Sequence, residues 1–184
     1  MELLSLDFVN SVFRDFRGRW ERDDLQNPAW LAHFLQKWHL DVEQPADAAV
    51  LEELTELRTL LTHVIETLAR QQTIEQQDLE ELNARLSKTS FSYQIAPLDQ
   101  GYHLESIPAR KDWTWVQSEI ISDFMALLND YDPLRLKMCA NPYCRWVFYD
   151  ETKSRTRRYC TTEKCANLWK LRRFRERHKS SSSG

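Results

Sequence analysis

All four cysteines of this 184-residue chain lie in one short segment near its end. Cys139 and Cys144 form one C-x4-C pair, fifteen residues follow, and Cys160 and Cys165 form a second C-x4-C pair. Two such pairs are typical of a tetrahedral zinc site whose ligands are all thiolates. Free buried thiols, disulfides and an iron–sulfur cluster are the alternatives. Because four thiolates leave no vacant coordination position, we expect one structural Zn2+ and no metal-based catalysis.

The segment between the two cysteine pairs suggests how they meet. Residues 146–149 have strand propensity, residues 150–154 are typical of a turn, and residues 155–159 are predicted to return as the partner strand. Either threonine after Cys160 can cap a helix whose first turn carries Cys165. The sequence therefore predicts a treble-clef-like module built of a knuckle, a hairpin and a helix.

The net charge of −3 conceals two parts of opposite sign. Residues 1–136 hold 12 Lys and Arg against 24 Asp and Glu, which gives −12, whereas residues 137–184 hold 13 against 4, which gives +9. Such a basic segment attracts polyanions. A solubilising basic tail and pairing with the acidic part are the alternatives to nucleic-acid binding.

The candidate DNA contacts are basic side chains in and after the predicted turn. Three of them recur at i, i+3 and i+7 of the last helix, while Leu168, Leu171 and Phe174 form a second, apolar stripe that can dock. Around the turn, cations alternate with hydroxyl groups that also suit phosphate contacts. The predicted DNA-binding residues are Lys153, Arg155, Arg157, Arg158, Lys170, Arg173 and Arg177.

The first part of the chain is predicted to be mainly helical. Only three glycines and no internal repeat argue against a turn-rich all-β fold. Thr73 and Gln76 resemble a capping box, and Asp112 is a capping residue. From apolar residues at helical spacing, the predicted helices run from Leu6 to Gly18, from Pro28 to about Leu40, from Pro45 to about Gln71, from the capping residue Thr73 through Leu86, and onward from Asp112.

A β-hairpin is predicted between the last two of these helices. Residues 91–95 and 102–107 alternate with period two around a turn at residues 98–101. The predicted fold class is α+β: a mainly helical N-terminal domain with a small β-hairpin, and a C-terminal treble-clef-like four-cysteine zinc finger. We place the first domain at 1–132, the finger at 133–179, and a disordered tail or expression remnant at 180–184.

Three polar residues near the start are the candidate ligand-binding residues. Asp7, Asn10 and Arg14 lie at i, i+3 and i+7 of the first predicted helix, so one helical face could line a pocket. The competing interpretation is that they form caps, helix pairs and a buried hydrogen bond that holds the N-terminus.

Several of these residues also form a recognisable pattern. The first knuckle from Cys139 to Cys144, with Trp146, Phe148, Asp150 and the run Arg157-Arg158-Tyr159-Cys160, resembles the CGNR zinc finger. Residues 6–10, Leu-Asp-Phe-Val-Asn, with Asp24-Leu25, Pro28 and Trp30-Leu31, are similar to the ABATE domain that commonly precedes that finger. The motif that names the finger reads Cys165-Ala166-Asn167-Leu168 here, which lacks the glycine and the arginine.

This resemblance implies a bacterial stress-induced transcription regulator with a ligand-sensing first domain and a DNA-binding finger. Because Leu168 replaces the motif arginine, either a phosphate contact is absent or Lys164 and Lys170 substitute for it. DNA, a small-molecule effector and a second copy of the chain are the expected partners.

Other classes of function find little support in the sequence. There is no phosphate-binding glycine loop, nucleophile motif or catalytic carboxylate pair, so we expect no enzymatic activity. No apolar run spans a membrane, and the first ten residues lack a basic flank, which predicts a cytoplasmic protein. The alternative to DNA binding is an adaptor whose finger docks an acidic protein.

Overall fold

The computed structural model describes residues 2–181, without the side chains of residues 176, 177 and 179–181. Residues 182–184 of the predicted tail lie outside the described residues. The helices are α1 Leu4–Val9, α2 Pro28–Lys37, α3 Ala48–Ala69, α4 Gln76–Leu86, α5 Trp113–Asp130 and α6 Asn167–Ser181. The strands are β1 Val12–Arg14, β2 Glu21–Asp23, β3 Phe91–Pro97, β4 Tyr102–Pro108, β5 Leu136–Met138 and β6 Val147–Tyr149. No helix within residues 2–181 is long and apolar enough to cross a membrane.

The predicted α+β class is confirmed. Strands pair as three separate antiparallel hairpins, β1 with β2, β3 with β4, and β5 with β6. The predicted hairpin at residues 91–107 is present, with Ile95 opposite Leu104. None of the three hairpins joins another into a larger sheet within the described residues.

Helix α3 forms the centre of the core. Its Leu57, Leu61, Val64 and Ile65 are fully buried, because residues at this spacing share one face of a helix. Burial of each such side chain contributes about 1.5–3 kcal/mol. Asp47 begins α3 by accepting a hydrogen bond from the backbone N–H of Val50 (2.9 Å).

Helices α1 and α5 pack against this centre. Phe8 of α1 and Phe124 of α5 are both buried in the same cluster. As predicted, Asp112 caps α5, accepting hydrogen bonds from the N–H groups of Thr114 (3.0 Å) and Trp115 (3.2 Å). These caps determine where the long helices α3 and α5 begin.

The cysteine-rich part docks on this core through its own hairpin. Leu136 of β5 and Val147 of β6 are almost completely buried in the main apolar cluster. The side-chain amide of Asn10 donates to the carbonyl of Val147 (2.9 Å) and accepts from its N–H (2.8 Å). Arg145 forms an ion pair with Glu66 of α3. The apolar core is therefore continuous across residue 133.

The first helix is shorter than predicted. It ends at Val9, and the chain turns at Asn10 and then forms β1 instead of remaining helical to Gly18. Two causes are visible: Val12 and Phe13 favour a strand, and the Asn10 amide is used in the contact with β6. Asp7, Asn10 and Arg14 consequently do not share one helical face, which corrects the predicted stripe.

Two smaller predictions about helix ends were also wrong. Helix α4 begins after Glu75, whose side chain makes no capping hydrogen bond, so Thr73 and Gln76 do not form a capping box. Helix α2 ends at Lys37, before the predicted Leu40.

Because Gly18 has no side chain, the β1–β2 turn can lie close to the first cysteine knuckle. The φ of Gly18 is +76°, and a Cβ at this position would overlap the ring of Tyr143. Gly101 also has a positive φ (+94°), yet a Cβ there would meet nothing within 4 Å. The two glycines thus share a strained backbone region but differ in their surroundings.

We expect Gly18→Ala to lower the free energy of unfolding by about 1–3 kcal/mol, and by more than Gly101→Ala, because only Gly18 adds a steric overlap to the backbone strain. Chemical denaturation of both variants measures this difference. Tyr143→Ala in the Gly18→Ala background should recover part of the loss. Equal destabilisation by the two glycine variants would contradict the close contact.

Candidate metal centre and basic surface

The four cysteine side chains converge on one point. All four Sγ atoms lie within 4.8 Å of one another, with 3.6 Å between Cys144 and Cys160 and 3.8 Å between Cys160 and Cys165. Tetrahedral zinc with bonds of about 2.3 Å places its sulfurs roughly 3.8 Å apart. Cys139, Cys144 and Cys165 are buried, and Cys160 is partly exposed. The residues therefore fit one structural Zn2+, as the spacing predicted.

The first two ligands are positioned by a tight turn between β5 and β6. The N–H of Cys139 donates to the carbonyl of Trp146 (2.8 Å), and the N–H of Cys144 donates to the carbonyl of Asn141 (3.0 Å). Cys165 follows in a wide helical turn, Thr162–Ala166, that leads into α6. Thr161 precedes this turn but its side chain makes no capping hydrogen bond, contrary to prediction.

The four thiols lie close enough to shift one another's pKa. Hydrogen bonds from the thiols of Cys144 and Cys160 lower the pKa of Cys139 to about 2. The same pairing with Cys139 raises the pKa of Cys144 to about 12, and that of Cys160 well above its usual range. Four thiolates at this distance need a cation, so metal uptake must release protons and weaken as pH falls.

Asn141 joins the metal centre to the first domain. The side chain is fully buried, and its Nδ2 lies 2.7 Å from the carbonyl of Phe16 and 3.3 Å from the Sγ of Cys165. Its Oδ1 accepts from the N–H of Tyr143 and so holds the knuckle turn. The sequence placed Asn141 in a family motif but did not predict this bridging role, since Phe16 is 125 residues away.

Asp150 organises the loop between the two knuckles. It is fully buried, lies 2.6 Å from the ammonium of Lys137, and accepts hydrogen bonds from the N–H groups of Thr152 and Arg157 (3.0 Å each). Burial acts to raise the pKa of Asp150, but the hydrogen bonds from Lys137, Thr152 and Arg157 hold that pKa well below its usual range. Its carboxylate therefore stabilises the loop at neutral pH. This contribution declines as pH falls below the ordinary pKa of an aspartate and is lost once the carboxyl is protonated in the folded protein.

The predicted pairing of residues 155–159 with β6 was wrong. β6 pairs with β5 instead, and the return segment is irregular. Its N–H and carbonyl groups bind side chains: the N–H of Arg157 binds Asp150, and the carbonyls of Arg155 and Arg157 accept from Lys137. A strand is not formed because these polar side chains satisfy the backbone first. The treble-clef-like arrangement is kept, with the first knuckle inside the β5–β6 hairpin.

The predicted DNA contacts are not equivalent in the structure. Arg157 is turned inward, where it donates to the carbonyls of Tyr159 and Cys160 and lies over the Phe148 ring. Arg155 is exposed but lies 2.8 Å from the carboxylate of Asp132. Arg173 is exposed beside the hydroxyl of Tyr159 (3.5 Å), the side chain of Arg177 lies outside the described residues, and Lys153, Arg158 and Lys170 are exposed.

The last helix docks less completely than predicted. Leu168 is partly buried, whereas Leu171 and Phe174 are exposed, so the apolar stripe does not dock along its length. Arg172 instead lies over the rings of Tyr143 and Trp169. This contact fixes the start of α6 on the first knuckle.

The first domain adds cations that the sequence did not assign to this surface. Arg17 and Arg19 flank Gly18 in the turn that contacts Tyr143, and both are exposed. Arg19 pairs with Asp15, whereas Arg17 lies over the Phe16 ring. The only sequence signal for their position was the glycine between them.

The predicted ligand-binding residues all have internal partners. Asp7 accepts hydrogen bonds from Lys37 and Trp38 (2.9 Å each), and Arg14 pairs with Glu21 (2.6 Å). Cavities of about 350 Å³ and 440 Å³ lie beside the contact between Asn10 and β6. Asp7 and Asn10 line the smaller one, and Asn10 and Arg14 line the larger.

We expect removal of zinc by a chelator to unfold the two knuckles while the first domain and the β5–β6 hairpin persist. The apparent binding energy of structural zinc in small peptides is about 10–16 kcal/mol, whereas Leu136 and Val147 are held by the main core. Hydrogen exchange should accelerate at residues 139–145 and 160–168 and stay slow in β5 and β6. Zinc should restore protection and magnesium should not. Unchanged exchange in the knuckles after metal removal would disprove a structural role.

Comparison with known families agrees with both resemblances seen in the sequence. Residues 135–178 match the CGNR zinc finger. Residues 2–131 match the ABATE family, described as "Putative stress-induced transcription regulator". No curated protein matches the chain. Because the ABATE match covers more than half of its length, the chain belongs to the ABATE family and carries a C-terminal CGNR zinc finger.

Proposed function

We propose that the protein is a transcription regulator that binds DNA through the basic surface around its zinc site. The observation that supports this most is a depression of about 410 Å³ beside β5. Its polar lining residues are Lys137, Arg155, Thr156, Arg157 and Arg158, beside Ala69, Met138 and Ala140, and no carboxylate of the described residues lines it. Several cations and a hydroxyl around one concave surface suit a backbone phosphate.

The cations of this depression divide into fixed and available groups. The charge of Lys137 is neutralised by Asp150, whereas Arg157 is held by the backbone carbonyls of Tyr159 and Cys160 and supplies a fixed positive charge. Arg158 is exposed, and Arg155 reaches the depression from its pair with Asp132. We expect Arg158 to contact phosphate directly and Arg155 to exchange its carboxylate partner for phosphate.

Helix α6 extends the basic surface beyond the depression. Lys164 precedes the helix, and Lys170 and Arg173 lie on its exposed side. The position of the motif arginine is taken by Leu168, which is partly buried. Lys164 and Lys170 are therefore the side chains that we expect to replace its phosphate contact. Contacts of this kind bind the DNA backbone and confer affinity more than sequence selectivity.

A salt titration tests the proposal with the intact, zinc-loaded chain. With about five phosphate contacts, the logarithm of the affinity for duplex DNA should fall with the logarithm of salt concentration with a slope of about −4.5. Arg158→Glu/Lys170→Glu should weaken binding and reduce this slope by about two, since each contact contributes about one. Fluorescence anisotropy measures both quantities.

The matched control is Lys88→Glu/Arg110→Glu, which makes the same change in net charge on the first domain. We expect it to keep the slope of the unaltered protein. If the unaltered protein has negligible affinity for duplex DNA even at low salt, the DNA proposal fails and the adaptor that docks an acidic protein is favoured.

The proposed regulator responds to a small molecule in the cavity of about 440 Å³ between the first domain and the finger. Three ion pairs border this cavity: Arg14 with Glu21, Arg58 with Asp23, and Arg145 with Glu66. Paired charges of both signs beside apolar side chains suit a small zwitterionic or amphipathic molecule. Because Arg145 belongs to the finger and Glu66 to α3, a ligand that competes for either partner alters how the finger is held.

We expect a small molecule to accompany the freshly purified protein and to be absent from Thr59→Trp, whose indole fills the cavity that Thr59 lines. Mass spectrometry of the denatured protein solution detects it. Glu52→Trp, exposed on the same helix away from the cavity, should retain the molecule. Retention by Thr59→Trp would exclude this cavity as the effector site.

A further inference from the structure

The β3–β4 hairpin presents an apolar face to solvent. Tyr93 and Ile95 of β3 are 66% and 74% exposed, and Tyr102 and Leu104 of β4 are 78% and 67% exposed. Alternate residues of a strand point to the same side, and the register places Ile95 opposite Leu104 and Pro97 opposite Tyr102. The four large apolar side chains therefore form one continuous face, which we call the apolar hairpin face.

The exposed residues of the opposite face are polar. They are Ser92, Gln94, His103 and Glu105, and the amide of Gln94 donates to Glu105 (2.8 Å), while Ala96 and Ile107 on this face are partly buried. The hairpin is thus amphipathic in the manner of a sheet that packs on one side. Only its base is anchored, because Phe91 packs against the main core while the four apolar residues beyond it stay exposed.

An amphipathic hairpin in this state is poorly stabilised. A two-stranded hairpin is marginally stable in water unless its apolar face packs on something. With a fully accessible tyrosine side chain offering about 150–250 Å², the apolar hairpin face exposes on the order of 500 Å². The largest exposed apolar patch on a typical monomer is about 300–600 Å² and is often functional.

Charge permits a second copy of the chain to cover this face. Residues 1–136 carry a net charge of −12, so two copies of this domain repel each other over most of their surface. The apolar hairpin face contains no Asp, Glu, Lys, Arg or His. Two copies can therefore meet at this face without placing like charges in contact, and the face does not favour a charged partner. Two copies related by a two-fold axis would bury about 1,000 Å² in total, near the lower limit of a specific interface.

We propose that the apolar hairpin face binds the same face of a second copy of the chain, giving a two-fold dimer of micromolar affinity. In this dimer the tyrosines and aliphatic side chains of the two hairpins interdigitate, and the polar faces remain in water. This proposal does not depend on DNA binding, and it is tested without DNA.

The test compares three forms of the zinc-loaded chain by sedimentation velocity at concentrations up to about 100 µM, well above a micromolar Kd. The unaltered protein should dimerise. Ile95→Lys should weaken dimerisation at least about 100-fold, because it places two ammonium groups in an uncharged interface. Gln94→Lys adds the same charge to the neighbouring residue on the polar face, so it should dimerise like the unaltered protein.

Hydrogen exchange gives a second, independent measurement. Amides of β3 and β4 should become more protected as concentration rises in the unaltered protein and in Gln94→Lys, but not in Ile95→Lys. Three results would overturn the proposal: a monomer at every concentration, an unchanged dimer in Ile95→Lys, or equal loss of the dimer in Gln94→Lys. Circular dichroism and zinc content confirm that each variant is folded.

Discussion

The architecture of the C-terminal part depends on the mutual repulsion of four thiolates and on its relief by one dication. Four sulfurs within 4.8 Å cannot all be negative unless a metal holds them, and few apolar side chains are available to bring the knuckles together otherwise. The buried members of the second apolar cluster are three of the cysteines and Phe148, and Phe16, Trp146 and Tyr159 pack against them while partly exposed. The metal therefore holds the knuckles together, as an apolar core does in other domains. The side chains on the surrounding surface can then be charged.

Two asparagines, the partly buried Asn10 and the fully buried Asn141, connect the zinc site to the rest of the molecule. Asn10 extends from the first domain to β6, and Asn141 extends from the first knuckle to the carbonyl of Phe16. Each amide satisfies backbone groups that burial would otherwise leave without partners, which costs several kcal/mol per group in an apolar medium. The finger is thereby held in one orientation relative to α3. A change in that orientation would alter the shape of the cavities beside Asn10.

The sequence predicted the parts whose signals are local. Metal ligands were identified because cysteine pairs at short spacing have few other uses in such a chain, and α3, α5 and the β3–β4 hairpin were found because their periodicity extends over several turns or residue pairs. The first helix was predicted too long because the spacing of Leu6, Val9, Phe13 and Phe16 fits two structures equally well. One is a continuous helix, and the other is a short helix followed by a strand, which is the one observed. What stops that helix is a contact with Val147, 137 residues away, which no local pattern encodes. β5 was missed for the same reason, since a three-residue strand is recognisable only beside its partner.

The placement of Leu136 and Val147 in the main core bears on how the two family modules combine. The two modules match separate families, yet these two side chains of the finger are part of the apolar core of the domain that precedes it. A finger excised at residue 133 would carry two bare aliphatic groups into water, and the helical domain left behind would contain a matching void. A protein in which either module is replaced by that of a relative would fold only if the hairpin filled that void. The two modules are therefore expected to vary together in evolution.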